Sequence, residues 1–82
     1  MTSKDNLIEW TMEALASLGG AAHHVEVAKH IWHHHEEDLR AAGDLFYTWQ
    51  YDLRWAAFKL RERDRLQPAG RDGVWRVTPD WS

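Results

Sequence analysis

The stretch from residue 51 to residue 77 constrains the fold more than any other part of this chain. Apolar residues recur at helical spacing in its first part, and its second part alternates as a strand does on either side of Asp72-Gly73. Asp-Gly is a strong signal for a tight type I′ turn, because both positions tolerate positive φ. The stretch therefore predicts a long helix and then a two-stranded β-hairpin over about residues 66–77, with Arg71 at its tip.

The N-terminal half predicts two more helices, over about residues 4–18 and 24–35. Their apolar faces are Ile8, Met12 and Leu15 in the first helix, and Val27, Ala28, Ile31 and His35 in the second. Gly19-Gly20 ends the first helix, since glycine accepts the left-handed conformation found there. The link at residues 21–23 could form a minimal strand that pairs with the hairpin, and residues 36–42 could add one short helical turn.

The third helix is predicted over about residues 48–63, with Asp44 or Thr48 as its N-cap. Its main apolar stripe contains Trp49, Leu53, Ala56, Ala57 and Leu60. The alanines should let another helix approach closely. Tyr51, Trp55 and Phe58 lie away from this stripe, and we expect Trp55 to pack into the core. For Tyr51 and Phe58 base stacking, packing under the hairpin and contact with a second subunit all remain open. Trp10, on the polar side of the first helix, raises the same question.

These elements predict one α+β domain over residues 1–82, since 82 residues suffice for a single domain. Three main helices followed by a two-stranded β-hairpin wing are typical of a winged helix-turn-helix. That architecture most often binds duplex DNA.

Composition excludes several classes of protein. The chain has no cysteine, so it can form neither disulfides nor thiolate metal sites, and this suits a reducing cytoplasm. No apolar run approaches the roughly 20 residues that span a bilayer, and the polar N-terminus does not resemble a signal peptide. Phosphate-binding loops, serine elbows and cysteine nucleophiles are missing from the sequence. We therefore expect a cytoplasmic protein that is not an enzyme and takes no cofactor or small-molecule substrate.

Charge is distributed unevenly along the chain, whose formal net charge is −3. Residues 1–47 contain three basic and eight acidic side chains, whereas residues 48–82 contain seven basic and five acidic ones. A basic end on an acidic body can present one face to a polyanion. The same dispersed cations would also suit an ordinary solvated surface.

Several short segments resemble the N-terminal domain of Mrr-type restriction endonucleases. They are Leu18-Gly19-Gly20-Ala21, Trp55-Ala56 followed by Leu60, and Gly73-Val74-Trp75-Arg76-Val77-Thr78. The resemblance covers about residues 7–78 and implies a winged helix that supplies DNA binding without cutting, because no nuclease domain is present. Asp52 stands where the family commonly has a basic residue, and Arg63-Asp64 stands where it favours Ala-Gly.

The predicted DNA-binding residues lie on helix three and the hairpin. Gln50, Tyr51, Arg54, Phe58 and Arg61 can share an exposed side of the helix. Gln50 could read adenine and Arg54 guanine through bidentate hydrogen bonds. The predicted phosphate contacts are Thr48, Lys59, Arg65, Arg71 and Arg76. Arginines at the helix end would equally suit the helix dipole. The resulting hypothesis is a regulator, or the DNA-targeting component of a restriction or phage-related system.

Two alternatives remain. A winged helix can lose DNA binding and use its exposed aromatics for homodimerisation. His30 and His34, at i and i+4 with Glu37 nearby, have the spacing of zinc ligands, but the sequence fixes no third ligand and the simpler interpretation is a solvated helix face. The histidines also gain charge as the pH falls towards about 6.5, which could tune electrostatic binding.

Overall fold

The computed structural model describes residues 2–79 and has three helices and a two-stranded antiparallel sheet. The elements in chain order are α1 (Asn6–Ser17), β1 (Ala21–His23), α2 (His24–Arg40), α3 (Leu45–Glu62) and β2 (Val74–Arg76). The α+β class expected from the sequence is confirmed at this level. Within the described residues, no helix has the length and apolar character needed to cross a membrane.

One core joins all three helices to the sheet. Its buried residues are Leu7, Trp10, Ala14, Leu15, Val27, Ile31, Leu39, Trp49, Leu53, Ala56, Ala57, Leu60, Leu66 and Trp75. The predicted stripe of α3 is confirmed in full. Ala56 and Ala57 are almost completely buried where α1 packs against α3, as expected of small side chains at a close helix approach.

The buried face of α1 differs from the predicted one. Leu7, Thr11 and Ala14 are fully buried, while Ile8 and Met12 lie only partly buried at the edge of the core. The reason is that α1 packs against both α2 and α3, so its buried centre is the side between them. Thr11 fits there because its hydroxyl donates to the Leu7 carbonyl oxygen at 2.6 Å.

Trp10, whose environment the sequence left open, is buried and contacts α2 at a kink. The helix continues to Arg40, but His35 has φ −129° and ψ 21°, outside the helical range. This turn lays the His35 ring parallel to the Trp10 indole, with ring centroids 4.0 Å apart. His35 Nε2 also lies 3.0 Å from Glu13 Oε1 on α1. The kink therefore closes α2 over α1 and covers the Trp10 ring, which lies on the same buried face of α1 as Leu7 and Ala14.

The predicted type I′ hairpin is wrong. β2 pairs with β1, so that Ala22 lies opposite Trp75, which confirms the suggested minimal strand at residues 21–23. Positive φ is found at Gly73 but not at Asp72, and Asp72 Oδ1 instead accepts a hydrogen bond from the Val74 amide at 3.0 Å.

Towards residues 66–67 the expected hairpin is reduced to a single bridge. Leu66 pairs with Val77, and the Gln67 amide donates to the Arg76 carbonyl oxygen at 2.8 Å. Pro68 follows immediately and has no amide hydrogen to extend the ladder. The wing is therefore a loop over residues 67–73 closed by one short antiparallel contact.

Gly73 is required by space as well as by its φ of +73°. A Cβ atom added there would lie 2.7 Å from His23 Nε2, closer than real Cβ contacts allow. The loop can therefore approach the β1–α2 junction closely only because Gly73 has no side chain. The His24 amide uses that approach to donate to the Gly73 carbonyl oxygen at 3.0 Å.

Candidate functional site

The outer face of α3 is the side directed away from the core. It consists of Tyr47, Gln50, Tyr51, Arg54, Phe58 and Arg61, which helix periodicity places within an arc of about 100°. Tyr51 is 77% exposed and Phe58 55% exposed. Sequence reasoning missed Tyr47, which is 82% exposed, because α3 begins at Leu45 rather than near Thr48.

None of the six residues of this outer face is acidic, although the chain has more acidic than basic residues. The exposed Glu62 follows Phe58 by four residues and borders the face, where it pairs with Lys59 at 3.3 Å. Arg54 is exposed, and among residues 2–79 no carboxylate oxygen lies within 4 Å of its guanidinium. Its charge is therefore available to an anion in solution.

Arg61 has a structural contact of its own. Its Nε donates to the Gln67 carbonyl oxygen at 3.1 Å, and its guanidinium lies 6.0 Å from the centre of the Trp75 ring. Arg61 is half-buried and fastens the start of the 67–73 loop to the end of α3. It contributes charge to this face, but part of its hydrogen-bonding capacity is already used.

Three of the predicted phosphate contacts have partners within the chain. Lys59 pairs with Glu62 at 3.3 Å, and Arg76 pairs with Asp72 at 2.8 Å. The Arg76 hydrogen bond and then the Val74 amide lower the pKa of Asp72, so this carboxylate remains charged. Thr48 donates its hydroxyl to Asp52 at 2.8 Å and lies inside α3, which removes it as a candidate N-cap.

Arg65 and Arg71 differ from those three. Both are exposed, and no ion pair joins either to another residue of the described range 2–79. Arg71 lies in the 67–73 loop, and Arg65 follows the end of α3. The available charges of the predicted set are therefore Arg54, Arg65 and Arg71, with Arg61 partly engaged.

The acidic N-terminal half does not neutralise these arginines. Its paired carboxylates have their partners within the same half: Glu26 pairs with Lys29 and Glu36 with Arg40, while Glu13 and Asp38 contact the His35 ring. Within the described residues no carboxylate of α1 or α2 pairs with a cation of α3 or of the 67–73 loop. The two halves of the chain keep their opposite charges.

Trp55 is more buried than the aromatic residues of the outer face of α3. It is partly buried against the core, and the Lys4 ammonium lies 4.5 Å from its ring centre. The Lys59 ammonium lies 6.0 Å away. The expected packing of Trp55 is confirmed in part, and the exposed aromatic surface consists of Tyr47, Tyr51 and Phe58.

An open groove of about 820 Å³ lies where α2, α3 and β2 meet. Its aromatic wall includes Trp32 and Trp49, whose indoles are parallel to within 7° with centroids 6.1 Å apart. Gln50, Tyr51 and Arg54 line its rim. This groove could not be predicted from the sequence. Trp32 lies on the flank of α2 and Trp49 in the stripe of α3, and these positions do not show that the two rings stack.

The histidine-rich part of α2 does not assemble a metal site in residues 2–79: no three His, Asp or Glu side chains converge there. The rings of His30 and His34 instead lie 4.2 Å apart at 36°. His30 Nδ1 is buried and lacks a hydrogen-bond partner within the described chain. Burial, and then the neighbouring His34, lower the pKa of His30 below 6.5, although Glu13 opposes this shift.

Acid should destabilise the fold through His24 and His30. Burial, followed by the charges of His23 and Arg54, also lowers the pKa of His24 below 6.5. As the pH falls below about 6.5, the unfolded chain takes up protons at both residues before the folded chain does. The stability that the neutral rings confer is therefore complete above pH 6.5 and is lost as the pH falls through the folded-state pKa values.

Thermal denaturation at pH 7.5 and pH 5.5, at constant ionic strength, measures this effect. We expect a lower melting temperature at pH 5.5, and a smaller decrease in a His24→Gln/His30→Gln double variant. An identical decrease in the variant would show that other groups cause the acid sensitivity.

Comparison with known proteins gives no match for this chain, whether to a family model, to a curated protein or to a solved structure.

Proposed function

We propose that this chain is a winged helix-turn-helix that binds duplex DNA and performs no chemistry of its own. The observation that carries the proposal is the outer face of α3, whose six residues include an unpaired arginine and no carboxylate on a chain of net charge −3. Glu62 at its border is paired with Lys59. A surface of that kind attracts the phosphate backbone, and an exposed helix fits the major groove.

The order of elements supports α3 as the recognition helix. Residues 41–44 separate α2 from α3, and a connection of three or four residues is typical of helix-turn-helix units. Arg71 extends from the 67–73 loop in the position of a wing, and Arg65 stands at the end of α3. Gln50 and Arg54 are the candidate base contacts, while Arg65 and Arg71 are the candidate phosphate contacts.

The resemblance to the N-terminal domain of Mrr-type endonucleases gives this proposal its biological setting. A cytoplasmic regulator, or the DNA-targeting component of a restriction or phage-related system, would need binding without cleavage. Asp52, which replaces the family's usual basic residue, accepts the Thr48 hydroxyl and does not reach the outer face of α3. The substitution therefore removes one phosphate contact and leaves the Arg54 side of the helix unchanged.

Homodimerisation is the rival, and the exposed Tyr47, Tyr51 and Phe58 are the reason to consider it. A twofold interface repeats the same contacts from both subunits. If it were centred on Arg54, it would bring the two guanidinium groups together. In that arrangement charge favours a polyanion over a second copy as the partner.

Fluorescence anisotropy with a labelled duplex of mixed sequence tests the proposal. Three unpaired arginines predict that the logarithm of the association constant falls with the logarithm of the salt concentration with a slope of about −3. Absence of binding at low salt would refute the proposal. Sedimentation velocity would then support the rival if the chain were dimeric and Phe58→Glu made it monomeric.

A further inference from the structure

The groove between α2 and α3 differs chemically from the rest of the surface. Its lining includes the aromatic residues Trp32, Phe46, Trp49 and Trp75. Trp49 and Trp75 belong to the core, and Trp32 packs against it. At one end, the His24 ring lies 6.0 Å from Trp75 at an angle of 34°. The groove volume of about 820 Å³ falls within the range of about 300–1,000 Å³ that is usual for small-molecule sites.

The charged groups of this groove are both cationic. Lys29 on α2 and Arg54 on α3 line it beside the polar Gln50, Tyr51 and His24, and no Asp or Glu does so among residues 2–79. Lys29 has only an exposed partner, Glu26, at 3.5 Å, and a pair of that type is weak in water. The lowered pKa of His24 leaves its ring neutral near pH 7, so that it can act as a stacking surface.

We propose that this groove binds a planar aromatic molecule that carries a carboxylate or a phosphate group. The ring would pack against the indole wall, where offset or edge contacts between aromatic groups are favourable. The anionic group would lie at the rim formed by Lys29 and Arg54, and an arginine guanidinium matches the geometry of either anion. An aromatic acid and a mononucleotide share this chemistry. An aromatic cation is disfavoured, because Lys29 and Arg54 would repel it.

The groove and the outer face of α3 share Gln50, Tyr51 and Arg54. A ligand that engages Arg54 should therefore compete with DNA, which would make it an effector of DNA binding. This consequence rests on the proposed function, whereas binding to the free protein does not. The two can be tested separately.

Binding is measured on the full chain without DNA, from the indole N–H signals in heteronuclear NMR spectra. Indole-3-acetate represents the aromatic acids and adenosine monophosphate the nucleotides. At least one should produce saturable shifts at Trp32, Trp49 and Trp75, which line the groove, while Trp10 and Trp55, which do not, stay in place. Whichever ligand binds more tightly identifies the source of the ligand. If neither shifts the groove signals at millimolar concentration, the proposal is overturned.

Matched ligands and variants test the two parts of the site. Indole and tryptamine keep the ring but lack the anion, and each should bind at least tenfold more weakly than indole-3-acetate. Ala28→Leu should obstruct the groove beside the indole wall and weaken binding at least tenfold without changing any charge, and Lys29→Gln should weaken binding severalfold. Circular dichroism verifies that both variants fold. Wild-type affinity in both folded variants, or equal affinity for the three indoles, would overturn the proposal.

Competition is then measured with labelled duplex and the ligand that binds. A ligand that binds the free protein but leaves the DNA affinity unchanged would remove the effector role and leave the binding site established. If the chain binds ligand but not DNA, only the proposed function fails.

Discussion

Replacing Arg54 by glutamate is expected to weaken binding to duplex DNA by about 30- to 150-fold, which corresponds to about 2–3 kcal/mol. Arg54 is exposed in the middle of the outer face of α3, and no carboxylate of residues 2–79 pairs with its guanidinium. The substitution removes a bidentate donor and places a negative charge against the phosphates. Anisotropy titration at a fixed salt concentration gives the ratio of the two affinities.

Arg63→Glu is the matched control, because it changes the net charge by the same amount. Arg63 is also exposed, but it follows Arg54 by nine residues, or two and a half helical turns, and so lies on the opposite side of α3. We expect an effect of only a few-fold from this variant. Equal losses in the two variants would mean that overall charge, and not this face, controls binding.

Trp10→Ala should lower the free energy of unfolding by about 3–5 kcal/mol, the usual cost of truncating a buried tryptophan. The Trp10 side chain is only 8% exposed and joins α1 to the kink of α2 through its stack on His35. Small domains have a stability of about 5–15 kcal/mol at most, so a large part of the total would be lost. Urea denaturation followed by circular dichroism measures the change.

Trp55→Ala provides the comparison, since Trp55 is only partly buried and one side of its ring faces Lys4. Trp55→Ala should lower the free energy of unfolding clearly less than Trp10→Ala does. A cost for Trp10 that did not exceed the cost for Trp55 would contradict the packing of α2 over α1. His35→Ala should lower the free energy of unfolding by part of the amount lost in Trp10→Ala, because it removes the other ring of the stack.

The helices that depend on local periodicity were predictable from the sequence. The stripe of α3 is buried as expected, because Trp49, Leu53 and Leu60 recur at the spacing of one helix face. The burial of Trp10 was missed because the predicted stripe of α1 ran through Ile8 and Met12, whereas Leu7, Trp10 and Ala14 share the buried face at i, i+3 and i+7 spacing. The stack on His35, which is 25 residues further along the chain, could not be read from that spacing.

The sheet shows a second limit of local reasoning. Asp72-Gly73 favours a hairpin, but β2 forms a longer ladder with β1 than the single bridge that joins Leu66 to Val77. Asp72 then uses its carboxylate to accept from the Val74 amide, an arrangement that Asx residues commonly adopt in turns. Pairing between distant segments therefore decided the register.

Part of the candidate site was also visible in the sequence. The exposure of Gln50, Tyr51, Arg54 and Phe58 follows from their position opposite the stripe. The pairing of Lys59 with Glu62 has the i, i+3 spacing of neighbours on a helix and can be read from the residues. The pairing of Arg76 with Asp72 could not, because Asp72 lies in a loop and Arg76 in β2. The groove could not be predicted, because it depends on how the rings of three different elements meet.

The most direct measurement is a residue-by-residue NMR titration of the chain with duplex DNA at low salt. We expect the largest amide shifts at Gln50, Tyr51, Arg54 and Phe58 on the outer face of α3 and at Arg71 in the 67–73 loop, with little change in α1. Shifts confined to the acidic surface of α1 and α2, or none at any DNA concentration, would contradict the proposed DNA-binding role.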